Sequence, residues 1–388
     1  MVKPGYKQTE IGVIPDDWCI TPLRDISTGK FTYGVNAPAV EYMLPLPNYI
    51  RITDISDDGR FMRENRSSVV CEHPEQFTLR ENDIVFARTG ASTGKTYLYR
   101  QEDGELVYAG FLVKASIDPS RADSRFVFAS LHTRNYWNWV ATTSMRSGQP
   151  GINGNEYSSY QIAIPKLTEQ TCIAEALENT DMLIRSLEKQ IAKKKAIKQG
   201  AMQELLTGKK RLPGFSGEWE TIPLKKALTV GHGMSQHDVE CPSGKYPILA
   251  TGGVIGRASK YLCDMPSVLI GRKGTINKPQ YMDKPFWSID TLFYTKINEG
   301  YCPKFLYYVF CRIDWLSYNE ASGVPSLSAR TIENIEVKIP QYTEQLAMAE
   351  LLTEIDSEIE ALEQKLSKYR QVKHGMMQQL LTGKIRLV

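Results

Sequence analysis

An internal duplication constrains the fold of this chain more than any other feature. Residues 168–212 and 343–387 align without a gap at a constant offset (343 − 168 = 175), and 22 of the 45 aligned positions are identical. The glycines near the two ends, Gly208 and Gly383, keep the same offset. Agreement at this level far exceeds chance, so the two stretches are copies of one structural unit.

Each copy is predicted to form one long helix. Apolar side chains recur at intervals of three and four residues, which is the heptad spacing of a helix buried along one stripe against another helix. Thr168 and Thr343, each followed by Glu-Gln, mark the helix starts, and Gly208 and Gly383 are typical of helix ends. The predicted seam consists of Leu177, Ile184, Leu187 and Ile191 in the first copy and Leu352, Ile355, Ile359, Leu362, Leu366 and Tyr369 in the second.

The seam of the first copy is interrupted by Thr180 and Lys194, so we expect each copy to need a partner helix. Two copies in one chain favour an intramolecular antiparallel coiled coil with pseudo-two-fold symmetry. A homodimer of the isolated chain through the same seam is the alternative. At about 1.5 Å per residue, a helix of about 40 residues would be about 60 Å long.

The segments before the two helices also begin alike. Trp18 and Trp219 are each followed, after three residues, by Pro-Leu and a basic residue, here at a different offset (219 − 18 = 201). The order is therefore globule, helix, globule, helix, and the first globule is the longer one (201 − 175 = 26). We expect a first globular domain at 1–163, a helix at 164–212, a second globular domain at 213–338 and a helix at 339–388.

Both globules read as short strands broken by turns and followed by an aromatic helical segment, which predicts a mixed α+β fold. The first has predicted strands at 48–55, 83–87 and 107–114, a turn at 57–59, loops at 88–95 and 147–153 and a helix at 125–140. The second has strands at 246–250 and 267–271, a helix at 305–315 and loops at 272–278 and 322–328, which match 88–95 and 147–153.

Composition indicates an intracellular protein. Apolar residues make up 42 % of the 388 residues, and the net charge of +3 permits a nucleic-acid partner without requiring one. The seven cysteines include no Cys-x-x-Cys pair, which argues against a disulfide framework or a zinc site. No apolar run reaches the about 18 residues of a membrane span, and the first residues do not resemble a signal peptide. We expect a cytoplasmic protein without a membrane anchor.

Motifs for catalysis are absent or incomplete. Residues 90–95, Gly-Ala-Ser-Thr-Gly-Lys, resemble a phosphate loop but have three residues between the glycines where that loop needs four. His232 and His237 have no ligand partner at a suitable spacing, so a surface loop explains them better than a metal site. No methyl-donor loop and no nucleophile–base set can be placed. We therefore expect no catalytic residues, metal or cofactor.

Two arginines instead suggest a binding function. Arg88 and Arg272 each follow a buried strand and precede glycine and hydroxyl residues. An arginine at such a place can read a guanine edge with two hydrogen bonds or hold a phosphate. A structural ion pair is the alternative for each arginine, and the loops around Pro150 and Pro325 are either binding loops or scaffold turns.

Basic residues cluster near the end of each helix. Such a run is either a solvated helix face or a surface that follows a phosphate backbone. The residues are Lys193, Lys194, Lys195, Lys198, Lys209, Lys210 and Arg211 in the first copy and Lys368, Arg370, Lys373, Lys384 and Arg386 in the second.

The doubled motifs resemble the specificity subunit of Type I restriction-modification systems. The resemblance rests on Thr-Glu-Gln at the start of both helices, on Leu-Leu-Thr-Gly-Lys at 205–209 and 380–384, and on the alternation of globules and helices over the whole chain. It implies two target recognition domains that each read one half of a split double-stranded DNA site. It also implies two antiparallel helices that set the spacer and dock modification subunits, of which two are expected, and restriction subunits.

By the same resemblance the chain is not catalytic, and the methyl donor, ATP and magnesium belong to the partner subunits. Two similar modules on a stiff helix pair would meet half-sites about one DNA turn, about 34 Å, apart. The alternative functions are a stand-alone methyltransferase or nuclease and a coiled-coil adaptor.

Candidate DNA-binding residues are Arg88, Thr89, Ser92, Lys95, Arg146, Gln149 and Asn153 in the first globule and His232, Arg257, Arg272, Lys273, Asn277, Lys278, Ser326 and Ser328 in the second.

Overall fold

The computed structural model describes residues 3–146 and 148–387 and divides the chain into two compact units. The first unit comprises the residues up to Ser186 together with those from Leu366 onwards, and the second comprises Leu187–Lys365. The boundary falls within both long helices, so each unit contains one globule and a part of each helix. No helix within the described ranges is long and apolar enough to cross a bilayer.

Among its described residues, the first unit contains twelve strands and three short helices before the first long helix. The strands are β1 (Tyr6–Thr9), β2 (Gly12–Pro15), β3 (Cys19–Pro22), β4 (Ser27–Tyr33), β5 (Ala39–Glu41), β6 (Asn48–Ile50), β7 (Ser67–Val69), β8 (Asp83–Ala87), β9 (Thr96–Leu98), β10 (Leu106–Tyr108), β11 (Leu112–Ile117) and β12 (Gln161–Ile164). The helices are α1 (Ser124–Ser130), α2 (Arg134–Thr143) and α3 (Gly154–Ser159), and the long helix is α4 (Leu167–Leu205).

The second unit repeats this order in a shorter stretch of chain. Its strands are β13 (Glu220–Pro223), β14 (Leu228–His232), β15 (Tyr246–Ala250), β16 (Gly253–Ala258), β17 (Ser267–Gly271), β18 (Gln280–Met282), β19 (Trp287–Ser288), β20 (Leu292–Ile297) and β21 (Glu336–Ile339). Its short helices are α5 (Pro303–Arg312) and α6 (Ala329–Asn334), and the second long helix is α7 (Tyr342–Leu380).

The sheets of the two units have the same topology. A four-stranded antiparallel sheet has the order β4-β11-β8-β9 in the first unit and β14-β20-β17-β18 in the second. A second sheet is β10-β6-β7-β5 in one and β16-β15-β19 in the other, so β5 is an additional edge strand of the longer globule. A two-stranded sheet, β3 with β12 and β13 with β21, precedes each long helix. The predicted mixed fold with two related globules is therefore confirmed.

The buried strands were predictable because they are continuous apolar runs, whereas several other predictions were wrong. Strands at 83–87, 246–250 and 267–271 are confirmed. The strand predicted at 48–55 ends at Ile50, because the Asp54 carboxylate accepts a hydrogen bond from the Arg51 N–H (2.9 Å) and stabilises a 3-10 turn instead.

Three further predicted elements are divided or shortened. The strand predicted at 107–114 is two strands, β10 and β11, joined by a turn in which Leu112 N–H donates to the Ala109 carbonyl (2.8 Å). The helix predicted at 125–140 is also two, because the Thr133 hydroxyl caps the start of α2. The helix predicted at 305–315 ends at Arg312, and a separate 3-10 turn begins at Trp315.

The two long helices pack antiparallel within each unit. In the first unit Asp181 and Lys373 form an ion pair at 2.7 Å. In the second, Asp356 and Lys198 form the same pair at 2.5 Å. Each of these residues keeps the offset of the duplication from its counterpart in the other pair, so the two copies exchange equivalent partners. Lys194, at an interruption of the seam, pairs with Glu358.

The predicted seam faces the protein interior along both long helices. Leu177, Ile184, Leu187, Ile191, Leu352 and Ile359 are buried, and Ile355, Leu362, Leu366 and Tyr369 are half-buried. Both helices end before a glycine in the left-handed region, Gly208 at φ +70° and Gly383 at φ +67°. A side chain at either position would be strained, which explains why the glycine is duplicated.

The duplicated glutamines attach each globule to a helix start. Gln170 donates to the Pro165 carbonyl (2.9 Å) and accepts from the Asp123 N–H (3.0 Å). Gln345 makes the equivalent bonds to the Pro340 carbonyl (3.0 Å) and from the Cys302 N–H (2.9 Å). Because Gln170 and Gln345 are both buried, their hydrogen bonds fix the orientation of globule and helix within each unit.

Candidate nucleic-acid interface

Two loops that the sequence indicated separately lie side by side in the first unit. The Ile152 N–H donates to the Arg88 carbonyl (2.9 Å), and the Gly90 N–H donates to the Pro150 carbonyl (3.0 Å). These bonds join the loop that follows β8 to the loop that precedes α3. Residues from both loops are thereby brought to one surface at the end of a buried strand.

The second unit builds the same pair of loops. The Leu327 N–H donates to the Arg272 carbonyl (3.0 Å), and the Gly274 N–H donates to the Pro325 carbonyl (2.9 Å). The predicted match between 88–95 and 272–278, and between 147–153 and 322–328, is thus reproduced at the level of individual hydrogen bonds, Ser147 lying outside the described residues. The loops around Pro150 and Pro325 accept hydrogen bonds from the arginine loops, which agrees with the alternative that they are scaffold turns.

The Arg88 side chain is held by an aromatic ring. Its guanidinium lies 4.8 Å from the centre of the Tyr33 ring, and the Tyr33 hydroxyl accepts a hydrogen bond from the Gly154 N–H (3.0 Å). Across the described ranges, no carboxylate lies within 4.0 Å of this guanidinium. The ion-pair alternative for Arg88 therefore has no support, and the guanidinium N–H groups are available to a ligand.

Arg272 is similarly placed. One of its guanidinium nitrogens donates to the Asp290 carbonyl at 3.4 Å, and no described carboxylate reaches it within ion-pair distance. His232 occupies the place of Tyr33, since it pairs across the sheet with Phe293 as Tyr33 pairs with Val113. The His232 ring packs edge-on against Phe293 at 5.0 Å. The sheet register therefore places a residue with an aromatic or imidazole ring at equivalent positions of the two units, Tyr33 at the end of β4 and His232 at the end of β14.

Sequence reasoning missed Tyr33, although it proposed His232. Tyr33 lies far from Arg88 along the chain, and only the pairing of β4 with β11 and of β11 with β8 brings the two together. The only indication in the sequence was an aromatic residue, Tyr33, at the end of the short and largely polar segment that forms β4. That signal is too common in any chain to be selected without the sheet register.

Several other predicted residues already have partners inside the protein. Lys95 pairs with Asp57 at 2.6 Å, and Arg146 pairs with Glu156 at 2.5 Å. Two more cap short helices. The Asn153 side chain accepts from the Glu156 N–H (3.0 Å) at the start of α3, and the Ser328 hydroxyl accepts from the Thr331 N–H (3.1 Å) at the start of α6. These contacts explain why polar residues are required there independently of any ligand.

The remaining candidates present polar groups at the loop surfaces. Gln149, Lys273, Asn277 and Lys278 are exposed, and Thr89, Ser92 and Ser326 are half-buried. Arg257 is exposed on β16 and donates to the Lys245 carbonyl at 3.3 Å. Whether these residues contact a ligand remains a prediction. Among all the candidates, Arg88 and Arg272 are the two whose backbones are held by equivalent hydrogen bonds in the two units.

The phosphate-loop resemblance is not supported by the local structure. Gly90–Ser92 forms a 3-10 turn, and the next element is strand β9 rather than a helix. Without a helix N-terminus at this place, the backbone N–H groups do not converge as they do in a nucleotide-binding loop. In the part of the chain that the structure describes, no three His, Cys, Asp or Glu side chains are grouped as metal ligands would be.

Comparison with known proteins gives a consistent result. The profile of the family "Type I restriction modification DNA specificity domain" matches residues 15–199 and 216–368. The chain is 24 % identical over 432 residues to the Type I restriction enzyme MjaVIII specificity subunit of Methanocaldococcus jannaschii, covering 96 % of this chain and 94 % of that protein. It is also 24 % identical to the putative Type I restriction enzyme MjaX specificity subunit of the same organism, covering 99 % and 97 %.

Solved structures share the fold. The crystal structure of the S subunit of a Type I restriction-modification system from M. genitalium has a TM-score of 0.67 at 15 % identity, covering 94 % of this chain and 96 % of that one. A chain from a structure of Type I restriction-modification complex assembly and conformational transition has a TM-score of 0.54 at 15 % identity, covering 96 % and 99 %.

Proposed function

This chain belongs to the Type I restriction modification DNA specificity family, and from that premise we propose that its two units read the two halves of a split DNA target as the specificity subunit of a restriction-modification complex. The observation that carries the proposal is the duplicated loop pair. Arg88 and Arg272 are clamped by equivalent backbone hydrogen bonds, and neither has a carboxylate partner among the described residues.

An arginine whose backbone is fixed and whose side chain has no acidic partner is suited to recognising DNA bases directly. Its planar guanidinium can form two parallel hydrogen bonds to guanine O6 and N7 in the major groove or to a phosphate. The loop positions beside it differ between the units: Gln149 and Thr89 in the first correspond to Val324 and Lys273 in the second. Different side chains on one framework would give the two half-sites different sequences.

The helices supply the second part of the proposal. The antiparallel pair of α4 and α7 would set the length of the unread spacer and dock the modification subunits, with restriction subunits joining the same assembly. The chain itself would be non-catalytic, and methyl donor, ATP and magnesium would bind only to the partners. Double-stranded DNA is then the ligand of this chain, and the assembly would act in the cytoplasm.

The proposal is tested by reconstituting the chain with its modification subunits and selecting bound duplexes from a random library. We expect a split consensus with two half-sites. Arg88→Ala should relax one half-site and Arg272→Ala the other, each by about 1–3 kcal/mol of discrimination. Arg121→Ala, which removes an exposed arginine that pairs with Asp118 outside the loops, should change neither.

The rival functions predict different results. A coiled-coil adaptor would give no consensus, and its DNA binding would decline uniformly as salt rises. A stand-alone methyltransferase or nuclease would act with methyl donor or magnesium in the absence of partners. A uniform loss across all duplexes on replacing Arg88 and Arg272 would mean that the two arginines hold phosphate and that other loop residues read the bases.

A further inference from the structure

Phe111 is an exposed aromatic residue on a fixed turn. It lies between β10 and β11, and 60 % of its surface is exposed, although Ala109 and Leu112 on either side are buried. The turn is closed by hydrogen bonds from the Leu112 N–H to the Ala109 carbonyl (2.8 Å) and from the Gly110 N–H to the Val35 carbonyl (2.8 Å). The ring therefore projects from a well-anchored backbone.

The Phe111 backbone is hydrogen-bonded to the arginine that we propose to read DNA. The Arg88 N–H donates to the Phe111 carbonyl (3.0 Å), and the Arg88 guanidinium lies over the Tyr33 ring, itself 42 % exposed. In the second unit the corresponding carbonyl belongs to Thr291, which accepts from the Arg272 N–H (2.8 Å). The aromatic ring at this position is thus a feature of the first unit only.

A single exposed phenylalanine needs no functional explanation by itself. Here, however, the exposed ring belongs to a turn whose backbone is hydrogen-bonded to Arg88, an arginine without a carboxylate partner among the described residues, on the surface proposed to face DNA. Side chains of this kind enter between base steps and unstack them, whereas a neighbouring arginine contacts base edges or phosphate. DNA brings an acceptor for the Arg88 guanidinium at every phosphate and at every guanine edge, whereas a protein would need a carboxylate at this one place.

We propose that Phe111 inserts against the bases of the half-site read beside Arg88, so that the first recognition domain distorts its DNA through an aromatic wedge. The inference rests on the proposed function, because it requires a half-site to be read there. If Phe111 distorts the DNA, the protein would favour sequences whose base step is easily deformed. This preference would add to the one that comes from hydrogen bonds to the bases.

The test uses the chain in complex with its modification subunits and the duplex obtained by selection. 2-Aminopurine replaces one base at a time in the first half-site, and the base that becomes methylated is omitted because a methyltransferase flips its target. We expect one position to brighten several-fold on binding. Phe111→Ala should abolish that increase and weaken binding of this duplex by about tenfold, in line with the loss of a stacking ring.

Matched variants make the result interpretable. Phe111→Tyr retains a ring and should preserve the fluorescence increase, whereas Thr291→Ala, at the equivalent position of the second unit, should leave it unchanged. Unaltered discrimination at the second half-site shows that Phe111→Ala is folded. An increase that survives Phe111→Ala overturns the inference, as does the absence of any responsive position in the first half-site with the wild-type chain.

Two further outcomes separate the alternatives. If Phe111→Ala weakens assembly with the modification subunits and leaves the DNA response intact, Phe111 contacts protein and the wedge is wrong. If the wild-type complex selects no sequence at all, the proposed function fails, and the wedge fails with it. A selective wild-type complex with no Phe111-dependent signal contradicts the wedge alone.

Discussion

Arg386 forms a two-pronged ion pair with Glu169, with Nε 2.6 Å from Oε1 and Nη2 2.8 Å from Oε2. Arg211 forms the same pair with Glu344, both distances being 2.6 Å. Arg386 belongs to the second sequence copy and Glu169 to the first, whereas for Arg211 and Glu344 the copies are reversed. Each pair therefore joins the end of one copy to the start of the other, which explains why both motifs occur twice.

The surroundings of these pairs also match. Glu169 and Glu344 are buried, and the arginines lie over tryptophan rings, Arg386 at 6.0 Å from Trp18 and Arg211 at 5.7 Å from Trp219. The hydrogen bonds that Arg386 donates to Glu169, and then to Asp17, raise the pKa of Arg386 above its ordinary value. Two residues of the basic runs thus have a structural role, whereas the sequence suggested a solvated face or a phosphate contact.

The first prediction concerns this ion pair. Arg386→Ala leaves the buried Glu169 carboxylate without its partner, and removing one member of a buried pair costs about 3–5 kcal/mol. Because the Arg386 side chain is 27 % exposed, we expect about 3 kcal/mol, the lower end of that range, in the free energy of unfolding measured with urea. Lys384→Ala, at an exposed position nearby, should change it by less than about 0.5 kcal/mol.

A double-mutant cycle with Glu169→Gln sharpens this measurement. If the pair stabilises the fold, Arg386→Ala should cost much less in the Glu169→Gln background than in the wild-type protein. Equal costs in both backgrounds would show that Arg386 acts through Asp17 or through its contact with Trp18 instead.

The long helices and the buried strands were predictable because their signals are local and strong. The heptad spacing predicted α4 and α7, and the apolar runs predicted β8 and β17. The errors fall where a single side chain overrides a pattern. Asp54 accepts from the Arg51 N–H and stops an alternating strand, and the Thr133 hydroxyl begins a second helix within an aromatic segment.

The candidate site was only half predictable, for a reason that the structure makes clear. The offset between equivalent positions of the two units is not constant: it is 325 − 150 = 175 for the prolines, 272 − 88 = 184 for the arginines and 232 − 33 = 199 for Tyr33 and His232. Insertions between these positions conceal the repeat inside the globules. The repeat in the sequence therefore reveals the arginines and prolines but not the ring-bearing residue at the equivalent sheet position.

The second prediction concerns Tyr33, which we place as a positioning residue for Arg88. Tyr33→Ala removes the ring under the guanidinium and should reduce discrimination at the first half-site by about tenfold, since a cation–π contact contributes about 0.5–2 kcal/mol. Tyr33→Phe keeps the ring and loses only the bond from the Gly154 N–H, so most of the discrimination should remain.

The measurement is competition binding between duplexes that differ at one base of the first half-site. Discrimination at the second half-site is the internal control, because His232 and Arg272 are unchanged. A Tyr33→Ala variant that binds all duplexes more weakly by one common factor would show that the ring supports the fold without orienting Arg88 toward a base.

The third prediction concerns spacer length. Four residues added near 205–207 would extend α4, which ends at Leu205, by one turn or about 6 Å. We expect the unread spacer to lengthen while both half-sites keep their sequences, as read by mapping of methylated sites. The same insertion in 213–217, beyond the Arg211–Glu344 pair, leaves the helix unchanged and should not alter the spacer. Changed half-sites would contradict the idea that helix length sets the spacing.

The fourth prediction concerns pH and the half-buried His132. Its Nδ1 lies 2.9 Å from the Phe128 carbonyl, and burial lowers the pKa of His132 below its ordinary value. Lys373 lowers this pKa further, whereas Asp58 and Asp181 oppose the shift. The folded state therefore favours the neutral ring, so the unfolded chain binds the proton more readily as the pH falls.

The sign follows from that difference in proton affinity. The stabilisation from neutral His132 is complete above the unfolded pKa of about 6.5 and is lost as the pH falls toward the lower folded value. As the pH falls below about 7, this one site should make the free energy of unfolding decline with a slope of up to about 1.4 kcal/mol per pH unit. His132→Asn keeps a donor for the Phe128 carbonyl and cannot titrate, so its slope should be smaller. Parallel curves for wild-type and His132→Asn would mean that acid sensitivity in this range arises from other groups.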